Sequence, residues 1–484
     1  MTSLFKKVSN GVLWVAFGTG AQVFLQFLLL VALSRLLTPS EFGQVTAALT
    51  VVSLSTIFSQ MGVGQALVQS ESVTVEHKRV AWTLSMLSGA FICSGIFYIS
   101  DEIQSFYAID GLGDLVRILA FVFPIVGFGV VSESSLQRSL RFKELMGARV
   151  TSYLFGYGLV SLVLAYAGLG ASALAYGFLA QAFLFSSLVY IASSHSLRPS
   201  LRLGVLKGLV RFGSGLTLAK VGNYLATQGD YVIVGKLLGV TSLGVYSRAY
   251  QLLMLPTNLI GTVLEKVLFP TLSLIQEDKK QLQSVYEKGF ALVALLTFPL
   301  MAFSIVFGDE IVKTILGSQW HDVVAPFQIL IAVLFFRTAY KLNESLIKAA
   351  GRVFQLATIQ WVYASAVVSF SIAGASWGLN GVSVGVGLSV LVNYFLTAHL
   401  LGRVIPVSWG QNMKLLVPGL ATGGVVLCTS LLVKIIAHGD LVPLLMLVVG
   451  AGLSVISLGC LSYVFPNMFL GAEGVWLVKK LKRF

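Results

Sequence analysis

The sequence predicts an all-α polytopic membrane protein with about 14 transmembrane helices, on three observations. Of its 484 residues 56% are hydrophobic and only 11% charged, with mean hydropathy +0.87, whereas soluble domains use roughly 25% charged residues. Apolar runs long enough to cross a hydrocarbon core of about 30 Å recur along the whole chain. When the loops are assigned alternately to the two sides, the Lys and Arg residues gather on one of them.

Taken in order, the spans fall at 11–33, 42–64, 80–100, 115–134, 148–167, 170–192, 211–235, 243–268, 289–307, 326–348, 354–374, 381–401, 415–436 and 442–465. The first follows Lys6 and Lys7 as a signal peptide would. It is too long and lacks a small-residue cleavage site, so it reads as a retained span. The second begins after "SRLLTPSEFGQV", where Pro39 bars continuation of the preceding helix. The fourth and tenth are interrupted by polar residues, which also admits thirteen or twelve spans. The connecting loops are too short for a soluble domain.

With the N-terminus in the cytoplasm, 24 of the 33 cations lie on the cytoplasmic side. Six lie opposite, and Lys220, Arg337 and Lys341 fall inside spans. Both termini are therefore expected in the cytoplasm. The net charge of +13 then faces an anionic leaflet. No soluble basic face exists for nucleic acid. Cys93, Cys428 and Cys460 all fall within spans and give no disulfide framework. The five histidines are scattered without metal-ligand spacing.

The chain repeats itself. "FGTGAQVFLQ" from Phe17 has a counterpart in "FGSGLTLAKV" from Phe212. "RLLTPSEFG" from Arg35 has one in "KLLGVTSLG" from Lys236. A basic loop joins the fourth and fifth spans of each half. Residues 1–195 (N-lobe) and 208–403 (C-lobe) thus read as two six-helix copies. A cytoplasmic linker, 196–207, joins them, and 404–484 adds two further helices and a basic tail. Six is even, so the copies are parallel, an architecture of transporters with a site between halves.

"ALSRLLTPSEFGQVTAAL", "FSQMGVGQALVQ" and "QGDYVIVGKLLGVTSLGVYSRAYQL" resemble the polysaccharide transporter branch of the multidrug/oligosaccharidyl-lipid/polysaccharide exporter superfamily, over roughly residues 5–400. The subgroup most similar is the exporter of colanic-acid type. The resemblance implies a Wzx-type flippase with two lobes around an alternately opening cavity. Such proteins move undecaprenyl-diphosphate-linked oligosaccharides from the cytoplasmic to the outer leaflet for exopolysaccharide, capsule or O-antigen (lipopolysaccharide) assembly. It implies a secondary transporter in the bacterial cytoplasmic membrane rather than an enzyme. Its partners would be membrane lipids, a polysaccharide polymerase and other assembly proteins.

Polar residues inside the spans agree with a wet interior, since a charge at mid-membrane costs about 2.5–3.5 kcal/mol. Arg337, Lys341, Glu344 and Lys348 follow one stripe of the tenth span, with Lys341 and Glu344 close enough to pair. Lys220, Asn223, Thr227 and Asp230 share a face of the seventh, beside Tyr224 and Tyr231. Arg248, Gln251, Asn258 and Glu265 share one of the eighth, and Trp14, Gln22 and Gln26 one of the first. Lys220, Arg337, Lys341 and Arg248 suit a diphosphate through charge-assisted hydrogen bonds. Trp14, Gln22, Asn223, Tyr224 and Asn258 suit sugar hydroxyls. Arg248, Glu265 and Lys348 lie near span ends, where the alternative is snorkelling to the interface. Arg35 and Lys236 occupy equivalent ends of the halves, as interfacial anchors or gate residues.

No cofactor is expected, because "RFGSGLTLAK" lacks the Gly-Lys-Ser/Thr of a nucleotide site. Proton or sodium coupling would use a carboxylate, with Asp230, Glu344, Glu265 and Glu133 as candidates. "GLATG" (419–423) and "GVSVGVG" (381–387) read as close-packing faces. Segments 273–290 and 101–115 read as amphipathic stretches along the membrane surface, and Asp309–Glu310 as a solvated helix start. Two alternatives stand beside the flippase: a multidrug exporter of the same superfamily, which should show an acidic cavity, and a membrane polysaccharide polymerase, which should carry a long external loop or an acidic pair.

Overall fold

The computed structural model describes residues 2–263, 278–406, 408–437, 442–469 and 471, and among them every regular element is helical. The chain divides into two compact units, Met1–Gly244 and Val245–Phe484. Unit 1 contains α1 (Thr2–Leu36), α2 (Pro39–Gln60), α3 (Val63–Gln69), α4 (Val75–Tyr98), α5 (Ser100–Tyr107), α6 (Leu112–Ala120), α7 (Val122–Arg138), α8 (Phe142–Thr151), a π-helical stretch (Ser152–Leu159), α9 (Val160–Tyr166), α10 (Ala171–Ala192) and α11 (Leu203–Leu237). Helix α12 (Gly239–Val263) leads into unit 2. There follow α13 (Lys279–Val306), α14 (Gly308–Ile315), a 3₁₀ turn (Ser318–Val323), α15 (Val324–Ile331), α16 (Leu334–Ala349), α17 (Val353–Ala375), α18 (Gly378–Gly402), α19 (Trp409–Ile436), α20 (Pro443–Val464) and α21 (Pro466–Phe469).

Eleven helical stretches among the described residues are long and apolar enough to cross a membrane. A twelfth is the pair Ser318–Ile331 and Leu334–Ala349, bent by 49° at the polar tenth span. Helices α11 and α12 hold the seventh and eighth expected spans at 35 and 25 residues. They are as long as the rest but more polar. The protein is a multi-pass membrane protein.

Local chemistry fixes the breaks. Thr38 caps α2: its Oγ1 accepts from the Glu41 amide, and the Glu41 carboxylate accepts from the Thr38 amide at 2.7 Å. With Pro39 in the first turn, this reciprocal cap explains the Thr-Pro-Ser-Glu spelling. Its counterpart in the second half starts instead on Gly239, at φ +84°. The two turns meet within unit 1: a Cβ on Gly43 would lie 1.9 Å from the Val240 carbonyl oxygen, and one on Gly244 would lie 1.8 Å from that of Pro39. Pro39 matches Val240, and Gly43 matches Gly244, at the offset of the repeat. The contact is reciprocal.

The small-residue faces pack as their spacing suggests. A Cβ on Gly374 of α17 would sit 2.3 Å from the Gly381 carbonyl oxygen of α18, and one on Gly419 of α19 would sit 2.8 Å from the Ala294 backbone of α13. Without side chains there, the helices approach almost backbone to backbone. In unit 2 this packing closes a core of Tyr286, Phe290, Phe335 and Tyr394.

Two expectations are corrected here. Residues 279–290 do not form a separate surface segment, because they are the first turns of α13, with Leu282, Tyr286 and Phe290 buried in that core. Glu310 is not solvated either. It begins α14 as expected but is 7% exposed, with Lys434 reaching it at 3.2 Å. Its neighbour Asp309 pairs with Lys313 at 2.7 Å and faces His321 at 3.3 Å. Burial alone would raise the Asp309 carboxyl, but Lys313 and His321 together outweigh it and hold the group below the ordinary carboxylate range.

The segment after α10 is strapped down. The His195 ring lies 3.0 Å from the Ser132 hydroxyl, Arg79 donates to Ser196, and the Ser200 amide donates to Thr83. Burial, then the charge of Lys78, pushes His195 from its ordinary value near 6.5 down to about 4. A histidine held neutral in the fold takes up its proton more readily when unfolded. Stability is therefore full above pH 6.5 and falls as the pH drops towards 4. Melting temperatures across that window should fall with acidification in the wild type and flatten in His195→Gln.

Candidate functional site

Arg337 sits near the middle of the bent span, on the first turn of α16 after the break at 332–333. It is 4% exposed. Its guanidinium stacks on the Tyr250 ring of α12 at 4.8 Å, and Nη2 donates to the Tyr250 hydroxyl. The Met254 sulfur lies 3.9 Å from the same nitrogen. Nε and Nη1 are buried without a hydrogen-bond partner, and among the described residues no carboxylate lies within ion-pair distance. Tyr340 packs against Tyr363 of α17 beside it, ring centroids 6.1 Å apart. A buried guanidinium beside aromatic side chains, with two nitrogens unpartnered, has the chemistry to hold an anion.

Further along α16, Glu344 gives its oxygens to Lys348 at 3.3 Å and to the Gln360 amide at 2.6 Å. Lys341, which the spacing also offered as its partner, is half-buried one turn earlier. On α12, Arg248 is half-buried and Asn258 exposed. Glu265 lies outside the described residues.

The remaining candidates belong to unit 1. On α11, Lys220 is half-buried, Asn223 exposed and Tyr224 buried, its hydroxyl donating to the Thr50 carbonyl of α2. Asp230, 1% exposed, accepts from the Tyr231 amide at 3.0 Å. Trp14 is exposed, with the Lys143 ammonium 5.4 Å from its ring, and Gln22 is half-buried. Glu133 pairs with Arg149 at 2.8 Å and accepts from Gln137. Arg35 is exposed, and Lys236 lies over the Phe106 ring at 5.0 Å.

Sequence reasoning missed Tyr250, Met254, Tyr340 and Tyr363. Tyr246 and Tyr250 at helical spacing gave a faint signal, since Arg in a membrane span commonly stacks on an aromatic face.

A multi-pass helical protein with an uncompensated cation deep in one span belongs to the class that handles polar or anionic groups inside the bilayer. Comparison with known proteins narrows this. The chain belongs to the polysaccharide biosynthesis protein family, which it matches over residues 32–325. It is 24% identical over 401 residues to the lipopolysaccharide biosynthesis protein WzxC of Escherichia coli (strain K12), covering 82% of this chain and 81% of that one. It is 26% identical over 361 residues to the teichuronic acid biosynthesis protein TuaB of Bacillus subtilis (strain 168), covering 73% of each. Its fold is that of the lipid II flippase MurJ in an inward closed conformation, with TM-score 0.71, 13% identity, and coverage of 92% of this chain and 99% of that one. An inward-facing multidrug resistance MATE family transporter of the MOP superfamily matches at TM-score 0.62 and 15% identity, over 79% and 95% of the chains.

Proposed function

We propose that the protein is a flippase that carries undecaprenyl-diphosphate-linked oligosaccharides from the cytoplasmic to the outer leaflet of a bacterial cytoplasmic membrane, for assembly of a surface polysaccharide. The observation that carries this reading is Arg337: a buried guanidinium with two unpartnered nitrogens and no counter-ion among the described residues. A diphosphate supplies the missing charge and acceptors, while the polyprenyl tail stays in lipid. Relatives named for lipopolysaccharide and teichuronic acid biosynthesis support the substrate class. The distribution of Lys and Arg supports a cytoplasmic position for both termini. The protein acts as a transporter, and a polymerase and other assembly proteins act downstream of it.

A deletion strain tests the reading. Lipid-linked repeat units should build up on the cytoplasmic leaflet and surface polymer should vanish. Single units displayed outside would instead indicate a polymerase. The likeness to a multidrug transporter favours a second reading as a drug exporter. That function calls for a buried anion to hold cationic drugs, and the uncompensated charge here is a cation. Drug sensitivity of the deletion strain with normal polysaccharide would favour it.

Transport against a gradient draws on an ion gradient in this reading, with Asp230 and Glu344 as its carboxylates. Asp230→Asn and Glu344→Gln should each lower export with the protein still in the membrane. Normal surface polysaccharide in both would remove carboxylate coupling at these positions.

A further inference from the structure

We propose that unit 2 carries a phospholipid headgroup site, separate from Arg337, where the ends of α13, α18 and α19 meet. A recess of about 200 Å³ opens there, lined by Tyr286, His399, Arg403 and Asn412 among others. Asn412 is 3% exposed. Its Nδ2 donates to the Tyr286 hydroxyl at 3.1 Å, while its Oδ1 is buried with no partner. A buried amide oxygen without a donor is destabilising and calls for one from outside the protein.

The other wall is cationic. Arg403 donates through Nη2 to His399 Nε2 at 3.2 Å, which leaves the imidazole proton on Nδ1 as a further donor. A guanidinium has five N–H donors in a planar fork suited to phosphate, and His399 takes one of them. Arg352 donates to the Arg403 carbonyl at 3.4 Å and adds a second positive charge. The nearby carboxylate of Glu287 is turned onto Gln283 and Gln411, at 2.7 Å from each amide.

The required ligand is thus a phosphate that carries its own N–H or O–H donor. A phosphodiester headgroup with a glycerol hydroxyl or a primary ammonium meets both demands: the phosphate lies on Arg403 and His399, and the head donates to Asn412 Oδ1. Starting at Met413, next in the chain to Asn412, the helically spaced Met413, Val417 and Leu420 of α19 are exposed apolar residues, at 54%, 52% and 53% exposure. Acyl chains can lie along these residues, which free phosphate has no use for. Basic recesses between helices at a membrane surface are suited to headgroups for these reasons.

Native mass spectrometry of the purified full-length protein tests this with phosphatidylglycerol, phosphatidylethanolamine and phosphatidylcholine of matched chains. Phosphatidylcholine has the phosphate but no donor. The first two should be retained roughly tenfold more than phosphatidylcholine, and Arg403→Gln should abolish the difference by releasing all three. Asn412→Leu should reduce the two donor lipids to the level of phosphatidylcholine. Melting temperature without lipid checks folding, and Arg403, being exposed, keeps the test decisive where Asn412→Leu does not fold. A preference between the two donor lipids identifies hydroxyl or ammonium, and either supports the site. Equal retention of phosphatidylcholine, wild-type retention by Arg403→Gln, or displacement of the lipid by millimolar inorganic phosphate overturns it.

Discussion

Arg337→Gln should abolish polysaccharide export while the protein remains in the membrane at normal abundance. A charge-assisted contact to phosphate is worth about 1.5–3 kcal/mol, so its loss lowers substrate affinity roughly 10- to 100-fold. Arg337→Lys should not rescue it, because an ammonium on a flexible stem neither stacks flat on Tyr250 nor presents a fork to a diphosphate. Tyr250→Phe keeps the stacking face and loses only the hydroxyl that accepts from Nη2. It should weaken export less than either Arg337 variant.

Stability should move the other way. A buried charge in a span costs about 2.5–3.5 kcal/mol on insertion scales, and no described carboxylate offsets it here. Arg337→Met should therefore melt at or above the wild-type temperature in detergent while exporting nothing. That opposition separates a functional cation from a structural one, whose removal would lower both. Wild-type polysaccharide in Arg337→Gln would sink the proposed substrate site.

How much of this the sequence revealed depends on the range of the interaction. Hydrophobic runs located the helices because each span must satisfy its own backbone in lipid, a constraint local to the segment. The break in the tenth span was legible for the same reason: Arg337, Lys341, Glu344 and Lys348 interrupt an otherwise apolar run. The partners were not. Helical spacing offered Lys341 to Glu344, but it could not offer the hydrogen bond from Gln360 of the next helix, which joins the ion pair with Lys348. Adjacent Asp309 and Glu310 looked equally solvated, but α14 turns one to solvent-facing Lys313 and buries the other against Lys434 of α19. Tyr250 lies 87 residues from Arg337, and only packing within unit 2 brings its ring under the guanidinium. Periodicity tells which residues share a face; what that face meets is a tertiary fact.

The repeated turn gives the second large effect. Gly244→Ala should lower the melting temperature and export together, and Gly43→Ala should do the same. In each case the new methyl would lie within 2 Å of a carbonyl oxygen, Pro39 for one and Val240 for the other, whereas ordinary contact needs 3.4 Å or more. Neither neighbour is a flexible side-chain tip, so the starts of α2 and α12 must move apart by more than an ångström. Overpacking of this kind typically costs about 1–3 kcal/mol. Because both substitutions open the same contact, the double variant should cost less than the sum of the singles. Gly95→Ala is the control: nothing lies within 4 Å of its new methyl, and a mid-helix Gly→Ala change stabilises by about 0.5–1 kcal/mol. Thermal melts of the four proteins, read beside surface polysaccharide, decide the matter. Additive losses in the double variant would mean that the two copies of the turn do not share one contact, and the reciprocal packing of the repeat would have to be abandoned.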